Sequence, residues 1–79
     1  MTSNAFAEDV AGNIRAARAR IRIQQQTVTE RMRDRGHSTW HRQTMGKVER
    51  AERRVYVDEL PALAAALETT IPSLLGFGS

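Results

Sequence analysis

Val10, Ile14, Ala17 and Ile21 follow one another at spacings of four, three and four residues, while Arg15, Arg18 and Arg22 fall elsewhere on the circumference. Residues three and four apart share a helix face, so this spacing predicts a first helix over about residues 5–22. A second helix is predicted from Gln24 to Arg35, where Val28 and Met32 stand four apart among good helix formers and Gly36 follows as a left-handed terminator. Its start has two readings, because Thr27-Val28-Thr29-Glu30 also has the form of a capping box that would begin the helix one turn later. Beyond the break at Gly36, Ser38 or Thr39 can accept from the free N–H groups of a third helix, predicted over about residues 39–52. Met45 and Val48 give that helix a narrow apolar stripe and Trp40 a large anchor at its entry. Arg42, Gln43, Lys47 and Arg50 make its outer face polar and cationic.

Val55-Tyr56-Val57 alternates too briefly to build a sheet and reads as an extended connector whose apolar side chains help close the core. Asp58 is expected to cap a fourth helix in which Leu60, Leu63, Ala64 and Leu67 recur at i, i+3, i+4 and i+7, with Pro61 tolerated in the first turn. Thr70 is placed to cap a short last helix carrying Pro72, Leu74 and Leu75, which Gly76 ends. The expected fold class is all-α: five helices in one domain over residues 1–79, with residues 1–8 as a flexible or partly helical arm.

A chain of 79 residues buries one modest core and leaves little room for a deep active-site cavity. The absence of cysteine excludes a disulfide framework and cysteine-based zinc sites, which fits a reducing, cytoplasmic setting. No apolar run approaches the roughly 18 residues of a membrane span, and Met1 to Asp9 lack the basic start and apolar stretch of a signal peptide.

Charge changes this picture through its distribution. The net charge is +3, yet all 12 Lys and Arg lie between Arg15 and Arg54, against the four acids Glu30, Asp34, Glu49 and Glu52 there, so this block carries +8. The flanks carry acids alone: Glu8 and Asp9 before the block, and Asp58, Glu59 and Glu68 after it. A basic block of this kind suits a phosphate backbone, and it equally describes a solvated arginine-rich surface.

His37 and His41 have a spacing that can bring two imidazoles together on one helix face, but Gly36 and Ser38 place His37 outside the helix and no acidic or Cys ligand stands nearby. No metal site, nucleophile elbow or Gly-rich phosphate loop follows from the sequence, so neither a cofactor nor an enzymatic activity is expected. The outer face of the third helix is more informative. Arg can donate twice to guanine O6 and N7, Gln can pair with adenine N6 and N7, and Lys can reach guanine or phosphate. Gly46 lies within this helix and has two readings, close approach to a groove or close packing against a neighbouring helix.

The residues Gln25, Val28-Thr29, Arg42-Gln43-Thr44-Met45-Gly46-Lys47-Val48-Glu49, Asp58-Glu59-Leu60 through Leu67, and Ile71 to Leu75 together resemble the xenobiotic-response-element family of phage repressor and Cro-like regulators over roughly residues 12–75. The resemblance implies a compact five-helix, lambda-repressor-like domain whose second and third helices form a helix-turn-helix, the third entering the major groove. Position by position, it implies base reading by Arg42, Gln43 and Lys47, with Thr44 a base or backbone contact. It further implies phosphate contacts by Gln25 and by Arg53 and Arg54 after the third helix, and a structural role for Glu49 in orienting nearby Arg or amide groups. Thr29 stands where the family has a small Ala, Gly46 where it has Ser, and about six extra residues separate Thr29 from Met45, so the second helix or its turn is expected to be extended.

The expectation is a sequence-specific double-stranded DNA-binding regulator of transcription. One module buries limited DNA surface, so a homodimer or a partner protein is expected, with Leu74, Leu75 and Phe77 as candidate contacts. The alternative is a protein-interaction module on the same fold, whose basic face meets an acidic partner. RNA binding has less support, because Phe6, Trp40, Tyr56 and Phe77 are scattered and suggest no stacking platform.

Overall fold

The computed structural model describes residues 5–77, and the segments with helical spacing fold as five α-helices. These are α1 Ala5–Ile21, α2 Gln25–Asp34, α3 Arg42–Glu49, α4 Leu60–Ala66 and α5 Ile71–Leu75, with a 3₁₀ turn at Val57–Glu59 before α4. The described residues contain no strand, and none of their helices is long and apolar enough to cross a membrane. The part of the expected N-terminal arm before Ala5 lies outside the described residues.

The core forms where the apolar stripes meet. α1 buries Val10, Ala11, Ile14 and Ala17 and packs on α3 and α5; α2 buries Val28, Thr29 and Met32 and packs on α3 and α4. Met45 and Val48 from α3, Leu63 and Leu67 from the α4 region and Leu74 from α5 close the centre. Thr29 is buried, and its hydroxyl donates to the Gln25 carbonyl at 3.0 Å with the His41 carbonyl at 3.4 Å, so α2 touches the entry of α3. The Asn13 amide donates to the Leu74 carbonyl at 3.0 Å and ties α1 to α5. Among the described residues every buried side-chain nitrogen and oxygen has a partner, as burial of polar groups demands.

Trp40 is completely buried at the entry to α3, and its indole N–H donates to Glu59 Oε2 at 2.9 Å. The same carboxylate accepts Arg53 Nη1 and Nη2, each at 2.9 Å, and the Tyr56 backbone N–H at 2.9 Å. The Arg53 guanidinium carbon lies 5.2 Å from the Trp40 ring centroid and 4.9 Å from that of Tyr56, distances at which cation and ring attract. This cluster moves two expected boundaries. The Trp40 N–H closes a turn on the His37 carbonyl at 3.1 Å, so Ser38 and Thr39 lie in that turn and α3 begins at Arg42, three residues later than expected. Glu59, not Asp58, occupies the position before α4, because its carboxylate is needed inside, and Asp58 lies exposed in the 3₁₀ turn. Of the connector's apolar residues Val55 packs against the core, whereas Tyr56 and Val57 remain exposed.

All five helices close with the same pair of hydrogen bonds, donated by the residue in the left-handed position and by the residue after it. Gly36 and Gly76 take the left-handed position after α2 and α5, at φ 97° and 81°, as their sequence positions imply. After α1, α3 and α4 the same position falls to Arg22, Ala51 and Glu68, at φ 60°, 60° and 56°. After α3, for example, Ala51 N–H reaches the Val48 carbonyl at 3.1 Å and Glu52 N–H the Lys47 carbonyl at 2.8 Å. That closure ends α3 at Glu49, short of the expected Glu52. At the start of α2 the chain uses Gln24 as the residue before the helix, and the alternative capping box at Thr27 does not form a boundary.

A side chain in the left-handed region costs roughly 1–2 kcal/mol, so Ala51→Gly is expected to stabilise the fold by about 0.5–1 kcal/mol after the added entropy of the unfolded glycine is discounted. Urea unfolding measures this, and a loss of stability would show that Ala51 is not strained. Burial alone would raise the Glu59 carboxyl, but the Arg53 pair, the Tyr56 N–H and the Trp40 N–H outweigh it and lower the pKa from 4.5 to about 2. The charged form therefore contributes stability in full above about pH 4.5, and this contribution falls away as pH drops toward 2. Thermal unfolding across that interval should show the loss in the natural chain and a flatter profile in Glu59→Gln.

Candidate nucleic-acid interface

α3 has only eight residues, too short to hold a helix alone, so its outward face depends on what grips its inner one. Met45, Gly46, Val48 and Glu49 are buried and face α1 and α2. Gln43 and Lys47, four residues apart, fall about 40° from each other around the helix and are exposed, with Arg50 extending the stripe beyond the helix end. Arg42 sits in the first turn, about 100° from Gln43, and is exposed as well. None of Arg42, Gln43 and Lys47 makes a side-chain hydrogen bond or ion pair with another described residue. Their donors and acceptors are free for an external partner, whereas Arg50 pairs with Glu52 at 3.1 Å.

The inner face is held through Glu49. Its carboxylate accepts Arg18 Nε at 2.6 Å and Arg18 Nη2 at 2.9 Å in a two-point clasp, and Gln25 Nε2 at 3.0 Å. Arg15 donates to the Glu49 backbone carbonyl, and Arg18 Nη1 donates to the Ile23 carbonyl at 3.0 Å. One buried acid thus joins the end of α1, the turn after it, the first residue of α2 and the end of α3. The hydrogen bonds that Arg18 donates to Glu49 raise the Arg18 pKa beyond its ordinary value against the opposing effect of burial. Glu49 therefore orients both an arginine and an amide.

Gly46 belongs to this inner face. A Cβ there would stand 3.1 Å from Arg50 Nη1 and 3.8 Å from Gln25 Oε1, so the missing side chain makes space for side chains of the same protein. Gln25, expected on a phosphate, uses one amide hydrogen on Glu49 and remains half-buried at the start of α2. Thr44 is half-buried and its hydroxyl accepts the His41 backbone N–H at 3.1 Å, closing the first turn of α3. Arg53 is the largest departure from its expected setting: both terminal nitrogens face Glu59, and about a quarter of the side chain is exposed. Arg54 beside it is exposed and its guanidinium has no hydrogen bond or ion pair among the described residues.

The basic block divides accordingly. The side chains of Arg15, Arg18, Arg31, Arg33, Arg50 and Arg53 donate to partners within the protein, while those of Arg20, Arg22, Arg35, Arg42, Lys47 and Arg54 donate to no described residue. Arg20, Arg22 and Arg35 were not singled out as contacts from the sequence, where nothing in their neighbours distinguishes a paired arginine from an unpaired one. His37 and His41 stand on either side of the turn, and no group of three or more metal-ligating side chains occurs among the described residues. Comparison of the chain with protein-family models, curated proteins and solved structures finds no match.

Removing either partner of the Glu49 clasp tests its role. Arg18→Met strands a buried carboxylate and is expected to destabilise the fold by about 3 kcal/mol, whereas Glu49→Gln keeps a neutral acceptor beside a partly exposed arginine and should cost less. Chemical unfolding of the two variants gives the order, and equal small losses would mean that the clasp does not hold α3.

Proposed function

We propose that this chain is a sequence-specific double-stranded DNA-binding regulator of transcription, with α2 and α3 as a helix-turn-helix in a lambda-repressor-like arrangement and α3 in the major groove. The observation that carries the reading is the two-sided character of α3. Its inner side is fixed by Glu49, Arg18 and Gln25, and Arg42, Gln43 and Lys47 stand exposed on the remainder, without a side-chain hydrogen bond or ion pair to a described residue. Side chains held on a positioned short helix with free donors match the chemistry of base edges: Arg to guanine, Gln to adenine, Lys to guanine or phosphate.

Backbone contacts in this reading come from Arg54, from Gln25 at the start of α2, where helix N–H groups and dipole favour an anion, and from Thr44 at the start of α3. Arg53 acts mainly by fixing the connector that presents Arg54. Two copies on a two-fold operator supply the surface that one module lacks, each placing its α3 in successive major grooves.

The test is selection from a random double-stranded DNA pool, followed by binding to the enriched site and to a scrambled one at two salt concentrations. A motif bound more tightly than the scramble at both salts is expected. Arg42→Ala should cost about 1–3 kcal/mol at that motif and relax the choice at one base pair. Arg54→Ala should weaken motif and scramble alike and reduce the salt slope by about 1. No enriched motif, together with weak binding abolished by salt, would overturn this reading in favour of a protein partner.

A further inference from the structure

α1, α5 and the connector after α3 meet around a hollow of about 380 Å³, at the lower end of the roughly 300–1,000 Å³ of small-molecule sites. Ile14 and Val48, both core residues, form its floor, and Val10, Val55 and Leu75 form its walls. Its lip is apolar and open: Phe6 is 51% exposed, Val57 83%, and Phe6 stacks on Phe77 with centroids 6.1 Å apart. Apolar side chains left open in this concentration signal a surface that something else covers.

Two arginines border the hollow, and they differ. Arg53 is committed to Glu59, whereas the Arg54 guanidinium has no hydrogen bond or ion pair among the described residues. A ligand suited to this corner has an apolar body for the hollow and one anionic head for Arg54, whose planar fork matches a carboxylate. A concavity between three elements suits a small molecule better than a second protein surface, which needs a face of about 800 Å² per partner.

We infer that this corner binds a small amphipathic carboxylate, its alkyl or aryl body against Val10, Val48, Val55 and Leu75 and its carboxylate on Arg54. The inference stands on the hollow and the unpaired cation and does not rest on the DNA reading. Where that reading holds, the ligand has a consequence: it engages the arginine that meets phosphate, and bound carboxylate and DNA compete.

Titration of the chain with decanoate, followed by amide chemical shifts, tests the site, with 1-decanol as the uncharged probe. Saturable shifts centred on Ala7, Ala11, Val55 and Leu75 are expected below about 1 mM decanoate. Arg54→Gln should weaken decanoate about tenfold while leaving 1-decanol within about twofold, since only the charge-assisted contact is lost. Val57→Asp alters an exposed lip residue without touching the core, and its like charge should likewise weaken decanoate. Absence of saturable shifts at these residues, or decanoate binding unchanged in both variants, overturns the inference. Shifts at the same residues on concentrating the protein without decanoate would assign the hollow to a second copy and overturn it equally. Because the readout is binding without DNA, failure here and failure of the DNA selection are separate results.

Discussion

A tryptophan ring brings more apolar surface into a small core than any other side chain, and its N–H must find an acceptor once the ring leaves water. Trp40 imposes both demands at one point, and much of the architecture answers them. Its acceptor is Glu59, a carboxylate that can be buried because Arg53 meets it with two donors and the Tyr56 backbone with a third. Meeting these demands sets the turn before α3, the connector that brings Arg53 and Tyr56 to Glu59, and the place where α4 starts. The turn between α2 and α3 is long because it must carry Trp40 inward and still deliver Arg42 to a helix start.

The second organising acid, Glu49, works on the other end of α3. Glu59 holds the connector and the ring before the helix, and Glu49 holds its last turn to α1 and α2. Between these clamps a helix of eight residues keeps one orientation, which its own hydrogen bonds would not secure. Each buried carboxylate also commits an arginine, so the abundant positive charge of residues 15–54 serves two purposes. Part of it neutralises what the core contains, and part stays on the surface, where an anionic partner would find it.

Helix ends supply a third layer of constraint. The closing hydrogen bonds are alike after every helix, but glycine fills the left-handed position after α2 and α5 alone. At Arg22, Ala51 and Glu68 a residue with a side chain holds the left-handed angle that closes the helix before it. Ala51 and Arg54 also border the apolar hollow, so one connector carries backbone strain, an unpaired cation and exposed apolar surface together.

Local chemistry was readable without a structure wherever it depended on neighbours in the chain. The period of Val10, Ile14 and Ala17, the glycines at 36 and 76, and the Thr70 hydroxyl that accepts the Ser73 N–H are of this kind; they marked α1, the ends of α2 and α5, and the start of α5. The polar and cationic side chains at 42, 43 and 47, opposite the narrow apolar stripe of Met45 and Val48, marked the candidate face in the same way. What depended on partners distant in sequence was decided by tertiary structure. Glu49 meets Arg18 across 31 positions and Trp40 meets Glu59 across 19, and no local pattern states which arginine an acid will claim. That choice separates Arg53, turned to the protein, from Arg54, turned to none of the described residues. The physical reason is that a buried charge must be matched by whichever opposite group the folded backbone brings near, and nearness in space is not written in the spacing of residues along the chain.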